Sequence, residues 1–587
     1  VRGGARLARL ARRTAGVLLL GLCASAPGWA AGAGPVNGFI VKLRDGAPAA
    51  EAPPSRLERV LGEARAPAAG ARALGRRTHV VDFGRRLGAD EAEAIARRLA
   101  QRPEVEWVVP NEREQRLAVP QDPLFAASAM SSGQWWLFPA GGSNANDIED
   151  RRRGVSGLQS AWQTTVGSAS PVVAVLDTGI TAHEDLAGAV LPGRDFVSTL
   201  EYANDGDGWD ADPADPGDWV SAADRSANPV LFGDCEVQDS SWHGTIIAGI
   251  LAAGTDNGRG VAAINWRGRV LPVRVAGKCG AEVADIIDGM RWAAGLTVLD
   301  DAGRALPANP NPARVVNISF GSQSACNAAY QEAIDELAEN GVVVVAAAGN
   351  QHGSVSRPAN CRGVIGVAAL NRDGFKASYS NFGEPLTIAT VGGDPRVVGG
   401  WGFELGDDGL LTVSNSGLRG PASGGYARDA GTSFAAPVVA GVAGLMLGLN
   451  PALSVGQVIT GLRRSARPHV VSPTLPSCSA QSPGRCICTT STCGAGILDA
   501  TTALAYAADP AGFVRPARRA ETIDNADVDA ALALGVADQP PNANVPPAAG
   551  ADEGGGALGL GWLAALALAV ASLSRRRARS RGRAPAA

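Results

Sequence analysis

The sequence has no basic excess. Its 53 Lys and Arg stand against 57 Asp and Glu, a formal net charge of −4, so it lacks the electrostatic footprint of a nucleic-acid binder. Acidic residues are absent from two stretches: residues 1–30 hold five Arg and no acid, and residues 575–587 hold six Arg and no acid. With those set aside, 42 basic residues face 57 acidic ones, a balance of −15. Both basic ends flank apolar runs, the arrangement that orients a chain in a membrane. Histidine is scarce, five in 587 residues, which narrows the search for a catalytic base. The 45% of hydrophobic residues excludes a wholly disordered chain, and the length allows a substantial core.

The first end reads as a secretory signal peptide, residues 1–31. Arg2, Arg6, Arg9, Arg12 and Arg13 precede an apolar stretch from Ala15 to Ala26, followed by small residues around Gly28-Trp29-Ala30-Ala31. A buried helix and a lipoprotein signal at Cys23 are the competing readings, and Leu22 is bulky for the second. At the other end, residues 511–553, rich in Ala, Pro, Asn and Asp from 521 onward, are expected to form a flexible linker. Residues 554–587 then run from Gly554-Gly555-Gly556 through Ala557–Leu573, at the lower limit for a spanning helix, to Arg575-Arg576-Arg577-Ala578-Arg579. This tail resembles the GlyGly-CTERM sorting signal. The resemblance implies transient inner-membrane anchoring in a Gram-negative bacterium and removal by a rhomboid-type protease, with signal peptidase acting at the other end. A plain membrane anchor is the alternative.

Once Cys23 leaves with the signal peptide, eight cysteines remain: Cys235, Cys279, Cys326, Cys361, Cys478, Cys486, Cys488 and Cys493. An even set in an oxidising compartment points to disulfides, and eight cysteines allow about a hundred pairings. Cys235–Cys279 and Cys326–Cys361 are the expected pairs, with the last four pairing among themselves. Zinc on residues 478–493 competes, but that stretch holds no His and no paired C-x-x-C units.

Short β-rich apolar runs recur at Val172–Leu176, Val270–Val275, Val315–Phe320, Val342–Ala346 and Val364–Ala369, with helical patterns such as Val283–Gly295 and Asn327–Glu339 between them. Strands alternating with helices predict an α/β fold, a mostly parallel sheet covered on both faces. Function is then expected at the carboxyl ends of the strands.

Three segments answer to that rule. The first strand ends in Asp177-Thr178-Gly179, a sequence that ordinary turns share. Ser241-Trp242-His243-Gly244-Thr245 opens the apolar stretch Ile246–Ala253, where a lone His is more often structural. Gly431-Thr432-Ser433-Phe434-Ala435-Ala436-Pro437 opens the helix Val438–Leu449, where a Ser is most simply an N-cap. Together they mean more. A serine hydroxyl becomes a nucleophile when a base takes its proton and a third group orients that base. Asp, His and Ser stand here in the order found in subtilisin. With Gly341–Asn350, close to an oxyanion-hole strand, the sequence resembles the subtilisin-like serine proteases, the subtilases, over roughly residues 120–505.

The resemblance implies a subtilisin-like three-layer fold and a secreted serine endopeptidase acting on proteins or peptides through an acyl-enzyme. In that scheme Ser433 attacks the scissile carbonyl, His243 is general base and then acid, Asp177 orients the imidazole, and Asn350 donates to the oxyanion. It places Ser319, Phe320 and Gly321, with Ala346, Ala347, Ala348 and Gly349, along the pocket for the residue before the scissile bond. Cys279, Gly280 and Ala281 form the edge that pairs with substrate. The pocket floor falls within residues 352–362, where Arg357, Asn360 or Arg362 could alter the preference. Two positions depart from the family pattern. Ile246 stands where a second His often follows His-Gly-Thr, and Phe434 replaces the Met that commonly follows the nucleophile, so the enzyme is expected to tolerate peroxide.

Structural calcium is the implied cofactor, without an organic one. Asp122 and Asp185 would supply carboxylates, Asn257 its side-chain oxygen, and Thr255, Arg259 and Val261 their carbonyls; ordinary turn chemistry is the alternative. The run Asn204–Asp218 is dense in carboxylates, among them Asp207, Asp210 and Asp212, and suits either a second calcium or a solvated acidic loop. Residues 32–117 resemble the family's inhibitory propeptide, a small α+β, ferredoxin-like chaperone: Gly38–Leu43 and Val105–Pro110 read as strands and Ala89–Gln101 as an amphipathic helix. From residue 33 they carry 15 basic and 12 acidic residues, which leaves 118–574 at −18. Self-cleavage between Arg116 and Gln121 would release a monomeric catalytic domain, residues 118–510. A maturation protease dedicated to one exported partner and a catalytically silent binding protein are the other readings.

Overall fold

The computed structural model describes residues 36–44, 53–66, 68–75, 77–87, 89–111, 118–126, 133–141, 151–397, 400–524 and 526–533. The expected signal peptide, the expected sorting tail with Ala557–Leu573, and residues 112–117, which include the start of the expected cleavage region, lie outside them. The chain divides into two units, residues 1–116 and 117–587.

In the first unit, Gly70–Ala73, Thr78–Leu87, Val36–Leu43 and Val105–Pro110 form one antiparallel sheet in that order. The helices Pro53–Glu63 and Ala89–Ala100 send Leu57, Val60, Leu61, Ile95 and Leu99 into a core shared with Phe39, Val41, Val81 and Phe83. The two expected strands and the expected helix are present. Pro53–Glu63 and two further strands complete the unit.

The second unit is built on seven strands. From edge to edge they are Ile388–Val391, Ile365–Leu370, Val343–Ala347, Val315–Ile318, Val173–Asp177, Val270–Arg274 and Arg194–Asp195, and every ladder is parallel. All five expected strands belong to it. They are predominantly apolar because helices cover both faces. Alternate residues separate accordingly. Val173, Val175, Val343 and Val345 pack with the helices His243–Ala252 and Thr432–Leu449, whereas Ala174, Leu176, Val316 and Val344 pack with Val283–Ala293 and Ala328–Glu339. Thr432–Leu449 is long and apolar enough to cross a membrane, but it is 83% buried and serves as the core helix.

The strand Val173–Asp177 lies between Val270–Arg274 and Val315–Ile318. The chain therefore leaves it towards one side and resumes on the other, opening a crevice at its carboxyl end. Asp177 stands at that point.

The disulfides are Cys235–Cys279, Cys326–Cys361, Cys478–Cys486 and Cys488–Cys493. The first two are the expected pairs, and the last four pair among themselves. With all eight sulfurs bridged, none is a thiolate for zinc.

Residues 511–533, expected as linker, belong to the packed structure. Residues 511–524 and 526–533 pack on the second unit: Ile523, Val528 and Ala531 are buried in its core, and Thr522 bridges Val471. Ion pairs join Glu521 to Arg153 and Asp527 to Arg151. Three apolar anchors scattered among Ala, Asp and Asn leave no period to read in the sequence.

Candidate active site

Asp177 ends the central strand, and His243 is the first residue of its helix. Across the crevice, His243 Nδ1 lies 2.8 Å from Asp177 Oδ1, which also accepts from the Thr178 N–H at 2.8 Å. Glycine permits this approach: a Cβ on Gly244 would lie 2.1 Å from the Gly179 carbonyl oxygen. Asp177 is buried, whereas the His243 side chain keeps 15% of its surface open. Burial works against protonating the imidazole, but the carboxylates of Asp177, Asp429 and Asp218 outweigh it and raise His243 to about 9.

Ser433 is not a helix cap. Gly431 is the N-cap, and Ser433 is the second helical residue. Its Oγ–H donates to the Ser319 carbonyl at 2.7 Å, and Ser319 Oγ–H donates back to the Ser433 carbonyl at 2.9 Å. The second bond has a cause four residues along the helix. Pro437 has no N–H to offer the Ser433 carbonyl, and the Ser319 hydroxyl takes its place. Asn317 Nδ2 holds Ser319 Oγ in turn, at 2.8 Å. Rotation about one bond, Cα–Cβ, re-aims the Ser433 hydroxyl. Phe434 lies edge-on to the imidazole, with ring centroids 6.0 Å apart.

Asn350 follows the strand Val343–Ala347 by three residues. Its Oδ1 accepts from the Thr432 N–H at 2.9 Å and the Thr432 hydroxyl at 2.8 Å. These two donors orient the amide, leaving Nδ2 beside Gly431. The helix start adds the positive end of its dipole.

Gly321 and Gly349 both border Ser356. A Cβ on Gly349 would fall 2.4 Å from Ser356 Oγ, and one on Gly321 would fall 3.5 Å from Ser356 Cβ. Buried Ser356 therefore joins the segments Ser319–Gly321 and Ala346–Gly349, a position that no sequence signal marks. Arg357 lies 6.0 Å from the Tyr330 ring centre, Asn360 Nδ2 donates to the Ser324 and Val355 carbonyls, and the Arg362 N–H bonds Gln331. On the other edge, Gly280–Ala281 pairs with Ala276–Gly277 in a small hairpin tied down by Cys279.

Residues 168–495 match the subtilase family. The chain is a subtilase. It is 37% identical over 481 residues to an extracellular protease of Xanthomonas campestris, spanning 80% of this chain and 72% of that one. It is 35% identical over 429 residues to the extracellular basic protease of Dichelobacter nodosus, spanning 72% of this chain and 64% of that one. Among solved structures, a protease from Pseudoalteromonas arctica matches at 40% identity and a TM-score of 0.54, covering 66% of this chain and 99% of that one. The enzyme class follows: this subtilase is a subtilisin-type serine endopeptidase.

Subtilases commonly hold structural calcium, and the donors at the expected first site fit such an ion. Asp122 accepts from the Asp256 and Asn257 N–H groups at 2.8 and 3.0 Å. Asp185 accepts from Asn257 Nδ2 and the Val261 N–H, both at 2.9 Å. Both carboxylates are buried, and among the described residues neither pairs with a Lys or Arg. Burial, joined by repulsion from Asp185, raises the Asp122 pKa. Two buried acids around one loop suit a hard cation. One expected ligand is turned differently, since Asn257 Oδ1 accepts from the Arg259 N–H at 2.7 Å.

The acids of the second expected site face separate partners. Among the described residues, Asp207, Asp210 and Asp212 form no group of three metal-ligating carboxylates. Asp210 and Asp212 each accept from the backbone N–H two residues on, at 2.7 and 3.1 Å, so local turns satisfy them one by one. Asp205, with Asp195, flanks the buried Arg274. The last two acids of the loop, Asp215 and Asp218, turn inward towards His243.

Proposed function

We propose that this subtilase is secreted and hydrolyses extracellular proteins through Asp177, His243 and Ser433. The observation that carries the reading is the His243–Asp177 hydrogen bond at the carboxyl end of the central strand. With Nδ1–H given to Asp177, Nε2 is left to accept the Ser433 proton. Ser433 Oγ attacks the scissile carbonyl, and the oxyanion takes hydrogen bonds from Asn350 Nδ2 and the Ser433 N–H. The imidazolium returns its proton to the leaving amine, and water then attacks the acyl-enzyme with His243 as base again.

Apolar and small walls at Ser319–Gly321 and Ala346–Gly349 suit a broad preference for large uncharged side chains, and Gly280–Ala281 offers an edge to an extended substrate. Asp122 and Asp185, with the 255–261 loop, hold calcium for stability. Residues 32–117 act as an inhibitory propeptide, and the sorting tail anchors the chain to the inner membrane of a Gram-negative bacterium until a rhomboid-type protease removes it. The disulfides and the names of the relatives support secretion.

The test is Ser433→Ala. It should abolish hydrolysis of a denatured protein substrate, lose fluorophosphonate labelling and keep residues 32–117 attached, as read by mass spectrometry. Activity, or clean self-processing by this variant, overturns the proposal.

A further inference from the structure

Asp215 and Asp218 are buried acids that no step above uses. Each stands one hydroxyl away from the backbone that carries His243. Asp218 accepts from the Ser241 N–H and the Ser241 hydroxyl, both at 2.7 Å, and Ser241 Oγ accepts from the His243 N–H at 3.3 Å. Asp215 accepts from the Thr178 hydroxyl at 2.6 Å and the Gly217 N–H at 2.9 Å. Thr178 Oγ1 accepts in turn from the Gly244 N–H at 3.1 Å. Thr178 follows Asp177 and Gly244 follows His243, so a single hydroxyl ties the backbone of the acid to that of the base.

The turn held this way is strained. Between Ser241 and His243, the buried Trp242 adopts φ 55°, a left-handed conformation that bulky side chains disfavour. Its indole N–H bonds the Gly417 carbonyl at 2.7 Å, and Asp218 grips the residue before it. A strained turn persists only when its surroundings over-determine it.

We propose that Asp218 and Asp215 are positioning residues for the general base: acting through Ser241 and Thr178, they fix the turn that presents His243 to Asp177. The proposal rests on the reading of His243 as the base. The charged groups facing His243 are Asp177 on the central strand, Asp218 on this loop and Asp429 at the end of the strand Gly424–Asp429; Arg274 faces Asp215. Burial, reinforced by Asp218, raises Asp215 to about 7, and burial raises Asp218 as well.

The experiment measures kcat, KM and the pH profile per active site, titrated with a fluorophosphonate, for Asp218→Asn, Asp215→Asn, Ser241→Ala and Ser241→Thr. Asp218→Asn and Asp215→Asn should lower kcat by about tenfold or more with KM changed by less than about twofold, since a misplaced base slows chemistry more than binding. The acid limb of kcat/KM should also move to lower pH in Asp218→Asn, because a carboxylate favouring the imidazolium is gone. Ser241→Ala should lose kcat, and Ser241→Thr should restore it. Unchanged kcat per titrated site with an unmoved acid limb overturns the proposal even where Tm falls, because a purely structural carboxylate alters how much enzyme folds and not how each site works. If the Asp variants do not fold, equal kcat for Ser241→Ala and Ser241→Thr overturns it. Ser433→Ala run in parallel separates the two failures. An active Ser433→Ala refutes the triad, whereas an inactive one beside an unaffected Asp218→Asn refutes only the positioning role.

Discussion

At neutral pH an imidazole held at about 9 by Asp177, Asp429 and Asp218 against its own burial keeps its proton, and a protonated imidazole cannot accept from Ser433. The sign follows directly. As pH falls below the raised pKa, kcat/KM should drop about tenfold per unit, so the acid limb lies on the alkaline side of the free imidazole's 6.5. A pH–rate profile on an uncharged peptide checks this, and a midpoint at or below the free value would contradict it. Asn350→Ala removes one oxyanion donor and should cost ~100–1,000-fold in kcat with KM little changed; a loss below about tenfold would place the oxyanion elsewhere. Asp177, His243, Ser433 and Asn350 were legible as candidates in the sequence because residue type and motif single them out. Ser356, Asp215 and Asp218 were not, because nothing in a lone Ser or an acidic loop says which way it turns.

Elements were legible where apolar residues keep a period. The five expected strands of the sheet are predominantly apolar, and the helices between them carry a clear stripe. The core helix was expected over Val438–Leu449 but begins six residues earlier, at Thr432. In the structure Pro437 lies inside Thr432–Leu449, and the one bond it removes is replaced by Ser319. The segment 511–533 was misread because it has anchors without a period. Burying Ile523 and Val528 contributes about 1.5–3 kcal/mol each, so truncation after residue 510 should destabilise the second unit by roughly 3–6 kcal/mol. Denaturant unfolding of the truncated and full chains, both carrying Ser433→Ala to prevent autolysis, measures this. Equal midpoints would return the segment to linker status.

Across the whole molecule, two ledgers of charge set the conditions under which the fold survives. Among the described residues Asp122 and Asp185 have no cationic partner, so chelation should lower Tm and added calcium should restore it; a Tm indifferent to both would remove calcium from the account. Asp215 and Asp394, each pushed up to about 7 chiefly by burial, bind protons in the folded chain where unfolded carboxylates have lost theirs. Their folded pKa lies above the unfolded one, so their contribution to stability is present below about pH 4 and lost as pH rises through about 7. His243, also raised, acts in the same direction between 6.5 and about 9. Stability of Ser433→Ala in saturating calcium should therefore fall from pH 5 to pH 8 while wild-type kcat/KM rises, and parallel trends would contradict the assignment. Sequence alone determined the family, the alternation of strands and helices, the candidate residues Asp177, His243, Ser433 and Asn350, and the expectation that eight cysteines are bridged. Each of these depends on residue identity at short range or on a repeating period. Tertiary structure alone decided that the acidic loop sends Asp215 and Asp218 inward, towards the hydroxyls of Thr178 and Ser241, that residues 511–533 dock, and that Ser319 compensates for Pro437. Those outcomes depend on which distant backbone donors and apolar surfaces meet a side chain, and only packing settles that.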